Sequence, residues 1–571
     1  MPDWKPEIRQ RLAGLQLAPT REAAVVEELA QHLDDYYAEL LASGALSMRE
    51  IVMTSSLRHR HKQTLAIAAL LCAMASAWLF YGHKATAQTQ TSNAPSQPSS
   101  ARKAGEVVIT RAELTGPNGE KLPYELGTVF VPENRSNPRS RLIGVAFARF
   151  RAANAAAGAL PVFHLPGGPG ESAVDGLTMP PPWPTRMAQE VLLFRQAGDV
   201  VFVDQRGYSK HGGNVLEYFY RRAERPLDQP TTLELARRDW IENSERALAE
   251  ARSRGVDLAG YTILELADDV NDLRKALGYN RITLYGNSFG SQWSFAVMKR
   301  HPKIVARALV SAVAPLDYSY DGPTGVMNAL ARMADAEERE DATLKSSATD
   351  LPVGGLMAAI RLVIERLKQG PVVASVNSEK GDSIRVALGL EDFRQMLPRL
   401  RRGAIASTSL PIYRGDYSAW AQTVYRARQP LPDSVIMIQP LIMGGLGSTA
   451  ERLARLKTDP ATLYLGEWGW AAYLATAHLR PTPDVGDDFR RPAKSAIPVI
   501  FAQGDWDLNT PVENTLEIAP YFPNGKVLIA HRGGHGVVWP IAQQRPDIAR
   551  ELMKFLRTGD LNGIPAEVTL R

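Results

Sequence analysis

The residues whose types and spacing could do chemistry begin with Ser288, at the centre of Gly286-Asn-Ser-Phe-Gly290. A β-branched and aromatic run, Arg281 to Tyr285, ends abruptly in this Gly-x-Ser-x-Gly, and a helix-like segment from Ser291 to Arg300 follows at once. A sharp strand-to-helix turn of this kind strains the serine backbone and exposes its hydroxyl, while the flanking glycines leave room for neighbouring chain. The chemistry implied is nucleophilic attack by Ser288. A serine hydroxyl is a weak nucleophile near neutral pH. It needs a base, an orienter for that base, and donors for the oxyanion that forms.

Candidates for each role follow in chain order. Ile497 to Ala502 reads as a buried strand running into Gly504-Asp-Trp-Asp-Leu-Asn-Thr-Pro511, which offers Asp505 and Asp507 as orienters. Motif spacing favours Asp507; the bland reading of either is a loop cap near Gly and Pro. A second strand, Lys526 to Ala530, runs into His531-Arg-Gly-Gly-His-Gly536. His535, flanked by glycines, is the favoured base, and His531 at the strand end reads as a packing or hydrogen-bonding residue. For the oxyanion, the strand Pro161 to Leu165 leads into Pro166-Gly-Gly-Pro-Gly170. Pro169 has no N–H and can only stiffen that turn. The amide of Gly168, or failing that Gly167, would pair with the amide of Phe289, the residue after the nucleophile.

Five motifs occur in one order: Gly167-Gly-Pro-Gly170, Asp204-Gln-Arg-Gly207, Gly-Asn-Ser-Phe-Gly, Gly-x-x-Asp-x-x-Thr-Pro and Gly-Gly-His-Gly. Together they resemble the proline iminopeptidase and tripeptidyl aminopeptidase family of serine peptidases, over roughly Gly105 to the C-terminus. The resemblance implies an α/β-hydrolase fold, a mostly parallel sheet flanked by helices, with an inserted helical cap. It also implies exopeptidase action at a free amino terminus, with Ser288, Asp507 and His535 as the triad. Two departures, Leu-Pro-Gly-Gly-Pro-Gly in the first loop and Tyr-Ser after Asp-Gln-Arg-Gly, favour the tripeptidyl branch over proline specificity. An esterase or other acyl hydrolase would use the same triad. A catalytically silent binding or scaffold protein could keep the same fold.

The elements that must position these residues are legible in outline. Leu122–Val131 and Leu142–Phe150 alternate like an antiparallel hairpin, and strands near 161, 200, 281 and 307 are spaced for helices. Leu266, Val270, Leu273 and Leu277 share one helix face; Asp268, Asp269, Asp272 and Arg274 lie off it and read as solvated. Arg206 reads as a brace for its loop. The core is expected in two parts, 105–316 and 491–571, with a helical cap over 317–490 that includes a helix at Leu356–Leu367. Within that cap, Glu467 in Leu465-Gly-Glu-Trp-Gly-Trp470 is the candidate for holding a substrate ammonium, since a carboxylate beside tryptophans can bind a cation. The alternative is a glutamate packed in an aromatic cluster.

The front of the chain differs. Residues 1–52 read as two helices, one around Ile8, Leu12 and Leu15, the other from Arg21 to Ser43 with an apolar stripe suited to a helical partner. This segment is similar to the prefix ahead of some bacterial efflux-type permeases. Arg58-His-Arg-His-Lys62 precedes a charge-free apolar run, residues 65–81, so 62–82 reads as a membrane anchor or a signal h-region. Positive charge before it predicts the catalytic part outside: tethered to a bacterial inner membrane facing the periplasm, or exported after cleavage near Ala85-Thr-Ala87, with Met53 an alternative start. Residues 83–104 read as a flexible linker. The one cysteine, Cys72, lies in the apolar run, so no intrachain disulfide is expected. With 66 Lys and Arg against 61 Asp and Glu, the net charge of +5 carries no nucleic-acid signature. No metal-ligand cluster or cofactor loop stands out, and the chemistry needs neither.

Overall fold

The computed structural model describes residues 102–571, apart from 154–158, 181, 222–223, 319–321, 342–343, 345–350, 379–380, 431 and 480, together with Lys5 and Val26. The chain divides into two units, Met1–Asn93 and Ala94–Arg571. In the first only Lys5 and Val26 are described, each in a helix. The helices read over 1–52, the apolar segment 62–82 and all but the end of the 83–104 linker therefore lie outside the described residues. Among the described residues no helix is long and apolar enough to cross a membrane.

In the second unit a ten-stranded sheet organises the fold. Its strands in chain order are β1 (Val107–Thr115), β2 (Lys121–Pro132), β3 (Leu142–Phe150), β4 (Val162–Leu165), β5 (Val200–Val203), β7 (Ile282–Asn287), β8 (Val305–Ser311), β12 (Val499–Gly504), β13 (Lys526–His531) and β14 (Glu567–Thr569). Four further strands, β6 (Glu217–Arg221), β9 (Val372–Asn377), β10 (Ser383–Leu388) and β11 (Pro432–Ile436), form two separate pairs. The spatial order in the main sheet is β1-β2-β3-β5-β4-β7-β8-β12-β13-β14. Strands β1, β2 and β3 are antiparallel, and β3 also pairs antiparallel with β5. From β5 to β14 every pairing is parallel.

The parallel strands read as continuous apolar runs because both of their faces are covered. Alternate residues divide between two cores: Phe163, Val201, Val203 and Leu284 pack on one face, and Val162, Val200, Phe202 and Tyr285 on the other. Each such side chain contributes roughly 1.5–3 kcal/mol when fully buried. The expected hairpin spans β2 and β3, with Tyr124 opposite Phe150 and Pro132 opposite Leu142.

Between β8 and β12 the chain forms helices that include Pro323–Glu340 and Gly355–Gln369, packed around a core of their own with Leu330, Ile360, Ile364 and Trp420. Two pairings were not foreseen. The hairpin β9–β10 sits within this segment, and β11 pairs with β6 from the first half of the chain. The helix Ile263–Ala276 buries Leu266, Val270 and Leu273 as its periodicity predicts, with Thr262 capping its first turn. The solvated-face reading of Asp269 is corrected. It is 1% exposed and pairs with Arg206 at 2.6 Å and Arg135 at 2.7 Å. A buried carboxylate is tolerated when guanidinium groups replace the water it loses.

Candidate active site

The loops after β4, β5, β7, β8, β12 and β13 emerge at the carboxyl edge of the sheet, where open α/β sheets bind ligands. Ser288 stands between β7 and the helix Phe289–Arg300 with φ 57° and ψ −126°, a conformation strained for a residue with a Cβ. Its neighbours explain how the turn closes. A Cβ on Gly286 would overlap the Gly290 carbonyl, and one on Gly290 would overlap the Leu165 carbonyl at the end of β4. Glycine is required at both because backbone crosses where a side chain would begin. Ser291 secures the start of the helix by donating its hydroxyl to the Ser288 carbonyl at 2.6 Å.

Asp507 is fully buried in the loop after β12. One carboxylate oxygen accepts from the Asn509 and Thr510 amides, each at 2.9 Å; the other accepts from the Thr510 hydroxyl at 2.7 Å and from Gln503 Nε2 at 3.3 Å. His535 places Nδ1 3.0 Å from both oxygens. An ionised carboxylate only accepts, so this contact puts the proton on Nδ1 and leaves the lone pair on Nε2.

Ser311 joins this group to the serine. Its carbonyl accepts from the Ser288 amide at 3.0 Å, and its hydroxyl accepts from the Val537 amide, two residues past His535, at 3.1 Å. A Cβ on Gly536 would stand 2.9 Å from Asn287 Oδ1. The histidine loop therefore abuts the residue preceding Ser288.

The loop after β4 lies against the same turn. Gly168 has φ +102°, and a Cβ there would meet the Gly170 nitrogen at 2.5 Å, so no larger residue fits. A Cβ on Gly167 would come within 3.4 Å of the Asn287 carbonyl. Phe289, as the first helical residue, has no carbonyl four residues earlier within the helix to bond. The loop is clamped by a residue to which the sequence reading gave no role. Gln205 donates Nε2 to the Gly167 carbonyl at 2.7 Å and accepts from the Gly170 amide at 2.8 Å, bridging Gly168 and Pro169. Gln205 lies inside the Asp-Gln-Arg-Gly motif, which was the available signal. Thr510 and Gln503 were missed likewise; Thr510 sits inside Gly-x-x-Asp-x-x-Thr-Pro.

Adjoining residues hold this edge together. Asp204 is buried and accepts from Ser172 Oγ at 2.6 Å and the Val174 amide at 3.1 Å; burial pushes its pKa up to about 7. His164, one residue before the end of β4, is stacked on Tyr285 at 4.9 Å, and burial pulls its pKa down to about 3. Arg206 is fully buried, donating to Asp269 and to the carbonyls of Glu133 and Gly260, so it braces its loop. Asp505 and His531 form a second pair at 2.9 Å.

Glu467 is exposed and ion-pairs with Arg237 at 2.8 Å. The sequence offered it as a carboxylate open to a substrate ammonium; the guanidinium of a residue 230 positions away already answers its charge. Among the described residues no group of three or more His, Cys, Asp or Glu side chains could hold a metal ion.

Residues 161–349 match a family described as the alpha/beta hydrolase fold, and residues 459–567 match one described as TAP-like protein. No curated protein matches the chain. Among solved structures, the chain is similar to a serine hydrolase from Cycloclasticus zankles, at 10% identity over 76% of this chain and 100% of that one, TM-score 0.32. It is also similar to a meta-cleavage product hydrolase from Pseudomonas fluorescens, at 12% identity over 73% and 96%, TM-score 0.29. A thermophilic esterase from Thermogutta terrifontis gives 15% identity over 78% and 98%, TM-score 0.29.

Proposed function

We propose that this α/β hydrolase with a TAP-like C-terminal segment is a serine aminopeptidase, releasing residues or short peptides from free peptide amino termini. The observation that carries the reading is the Asp507–His535 pair, tied through Ser311 to a strained Ser288. In the proposed cycle Ser288 Oγ attacks the scissile carbonyl while His535 Nε2 takes its proton. The imidazolium then gives that proton to the departing amine, leaving an acyl-enzyme that water hydrolyses by the same route. Asp507 stays ionised throughout and stabilises the imidazolium. The amides of Gly168 and Phe289 hold the tetrahedral oxyanion; one such donor is worth about 10²–10³ in rate.

Support for peptides over other acyl substrates comes from the five ordered motifs and from the TAP-like match, whose span includes Asp507 and His535. The charge pattern before residues 65–81 supports a catalytic part outside the inner membrane, tethered or released, and the apolar stripe within 1–52 supports a helical partner.

Fluorogenic aminoacyl, dipeptidyl and tripeptidyl amides, each with free and blocked amino termini, test the reading. Free termini should be cleaved at least about tenfold faster, the size of one lost charge-assisted contact. Preference for blocked amides or simple esters would make the protein an esterase. Failure of a fluorophosphonate to label Ser288 would leave a silent scaffold.

A further inference from the structure

At the amino edge of the sheet, opposite the Ser288 loops, a cavity of about 590 Å³ opens where β7, β8 and β12 begin. Its wall includes Arg281, just before β7, Val305 at the start of β8, and Ile497 and Pro498 just before β12. The floor is apolar, formed by Phe295, Met298, Leu316 and Phe522. Around it stand six cationic residues and no carboxylate: Arg281, Lys299, Lys303, Arg490, Arg491 and Lys494.

Two of the six are already answered. Arg490 pairs with Asp484 and Asp487, and Arg491 with Glu451 and Asp487. The other four form no ion pair with a carboxylate among the described residues. Lys299 donates to the carbonyls of Asp488 at 2.6 Å and Arg491 at 2.8 Å, and its ammonium lies 5.7 Å from the Phe489 ring centroid. Burial lowers its pKa, and the Asp488 carboxylate offsets only part of that, so its charge is incompletely solvated. Arg281 has one hydrogen bond, to the Val305 carbonyl at 3.3 Å; burial, and after it the charge of Arg281, lowers the pKa of Arg307 along this edge. Positive charges only partly offset by carboxylates, around a low-dielectric floor, focus a positive potential into the cleft.

We infer that this cleft is a binding site for an amphipathic anion, a carboxylate carried on an apolar chain, with the chain on the Phe295–Met298–Phe522 floor and the carboxylate among Arg281, Lys299, Lys303 and Lys494. A small hydrophilic anion would leave the floor wet, and a neutral apolar ligand would leave the cations uncompensated. The combination of apolar lining with a few convergent charges is that of a small-molecule site, and the volume is in the usual range. The inference is independent of the reading of Ser288, because the two sites lie at opposite edges of one sheet.

Calorimetric titration with dodecanoate, kept below its micelle concentration, tests it on the full chain. One site should appear, and it should persist after Ser288 is blocked with a fluorophosphonate. The double variant Lys303→Glu/Lys494→Glu should weaken binding by about tenfold or more, the sum of two modest surface charge contacts made repulsive. The milder Lys303→Gln/Lys494→Gln should fall between, and both should keep the wild-type rate of fluorophosphonate labelling, which reports correct folding. Dodecyltrimethylammonium, with the same tail and opposite charge, should not compete. Equal binding of that cation, unchanged affinity in the charge variants, or loss of binding on blocking Ser288 would overturn the inference. Co-sedimentation with phosphatidylglycerol vesicles without a titratable dodecanoate site would also overturn it, leaving only a basic membrane-facing surface.

Discussion

The loops after β12 and β13 present two Asp–His pairs of nearly equal length, Asp505–His531 at 2.9 Å and Asp507–His535 at 3.0 Å, and they are built for opposite ends. Asp507 has no exposed surface and is held by two amides, a hydroxyl and a carboxamide besides the imidazole. Asp505 accepts from the Arg532 amide, and its partner His531 is 39% exposed with Nε2 3.4 Å from Glu567. His531 thus has a carboxylate at each ring nitrogen, an arrangement that favours the charged imidazolium, and its pKa is raised, first by the Asp505 hydrogen bond. His535 has its carboxylate on Nδ1, which fixes a tautomer with the lone pair on Nε2. A base must be able to lose its proton as well as take one. The same two residue types make an exposed cation pair in one case and, in the proposed cycle, an oriented base in the other. The second-row contacts decide which.

The sharpest way to break this contrast is to damage both pairs equally. Ser288→Ala sets the ceiling: labelling by a fluorophosphonate should vanish and hydrolysis should fall by about 10⁴-fold or more. Asp507→Asn should lower kcat by about 10⁴-fold with a folded protein, because the amide stabilises the wrong tautomer and cannot answer an imidazolium. Asp505→Asn should leave kcat within about threefold, as for a surface pair whose worth is at most about 1 kcal/mol. Equal losses in the two variants, read from single-turnover rates, would erase the distinction between the pairs, and a larger loss in Asp505→Asn would reverse it.

A smaller effect is expected where the loop after β4 is clamped by Gln205. Gln205→Met keeps the side chain's length without its branch and removes both hydrogen bonds, to Gly167 and Gly170. It should lower kcat by about 10–100-fold with little change in KM, since in the proposed cycle the Gly168 amide is met only as charge develops on oxygen. A matching fall in the fluorophosphonate rate is the check. An effect on KM alone would show that Gln205 shapes the binding cleft and leaves the transition state untouched. Thr510→Val comes next, with an expected fall of about tenfold in kcat, because it deletes the hydroxyl at Asp507 Oδ2 and leaves that oxygen under-satisfied in the interior.

These differences trace back to what a linear sequence displays. Ser288, Asp507 and His535 stood out because glycine and proline mark the turns that carry them, and such turns are local. Gln205, Thr510 and Gln503 act by hydrogen bonds to their surroundings, and nothing in the side chain type announces a bond of that kind. Asp269 was misjudged for a related reason: its partners Arg206 and Arg135 are 63 and 134 residues away. Glu467 was read from its tryptophan neighbours in sequence, whereas its charge is met by Arg237 from another helix. Strand β1 escaped because most of its residues are exposed, so no apolar alternation marks it. The short β14 and the β6–β11 pair rest on long-range pairing that no periodicity encodes.

The least perturbing test concerns the second pair. His531 has a folded pKa raised above its ordinary 6.5 by Asp505 and Glu567. A histidine that binds its proton more tightly when folded adds stability that is fully present below the unfolded value and is lost as pH rises through the folded one. His531→Gln should therefore lower Tm relative to wild type at pH 5.5, and the difference should close by pH 9. Because the side chain is more than a third exposed, solvent screening keeps the increment under about 1 kcal/mol, or one to two degrees for a chain of this size. Raised salt should shrink it further. Asp505→Asn should reproduce the same pH-dependent gap, since it removes the hydrogen bond that contributes most. A gap that stayed constant across this pH range would mean that His531 acts through packing alone, and the contrast between cation pair and base would then rest on the buried pair by itself.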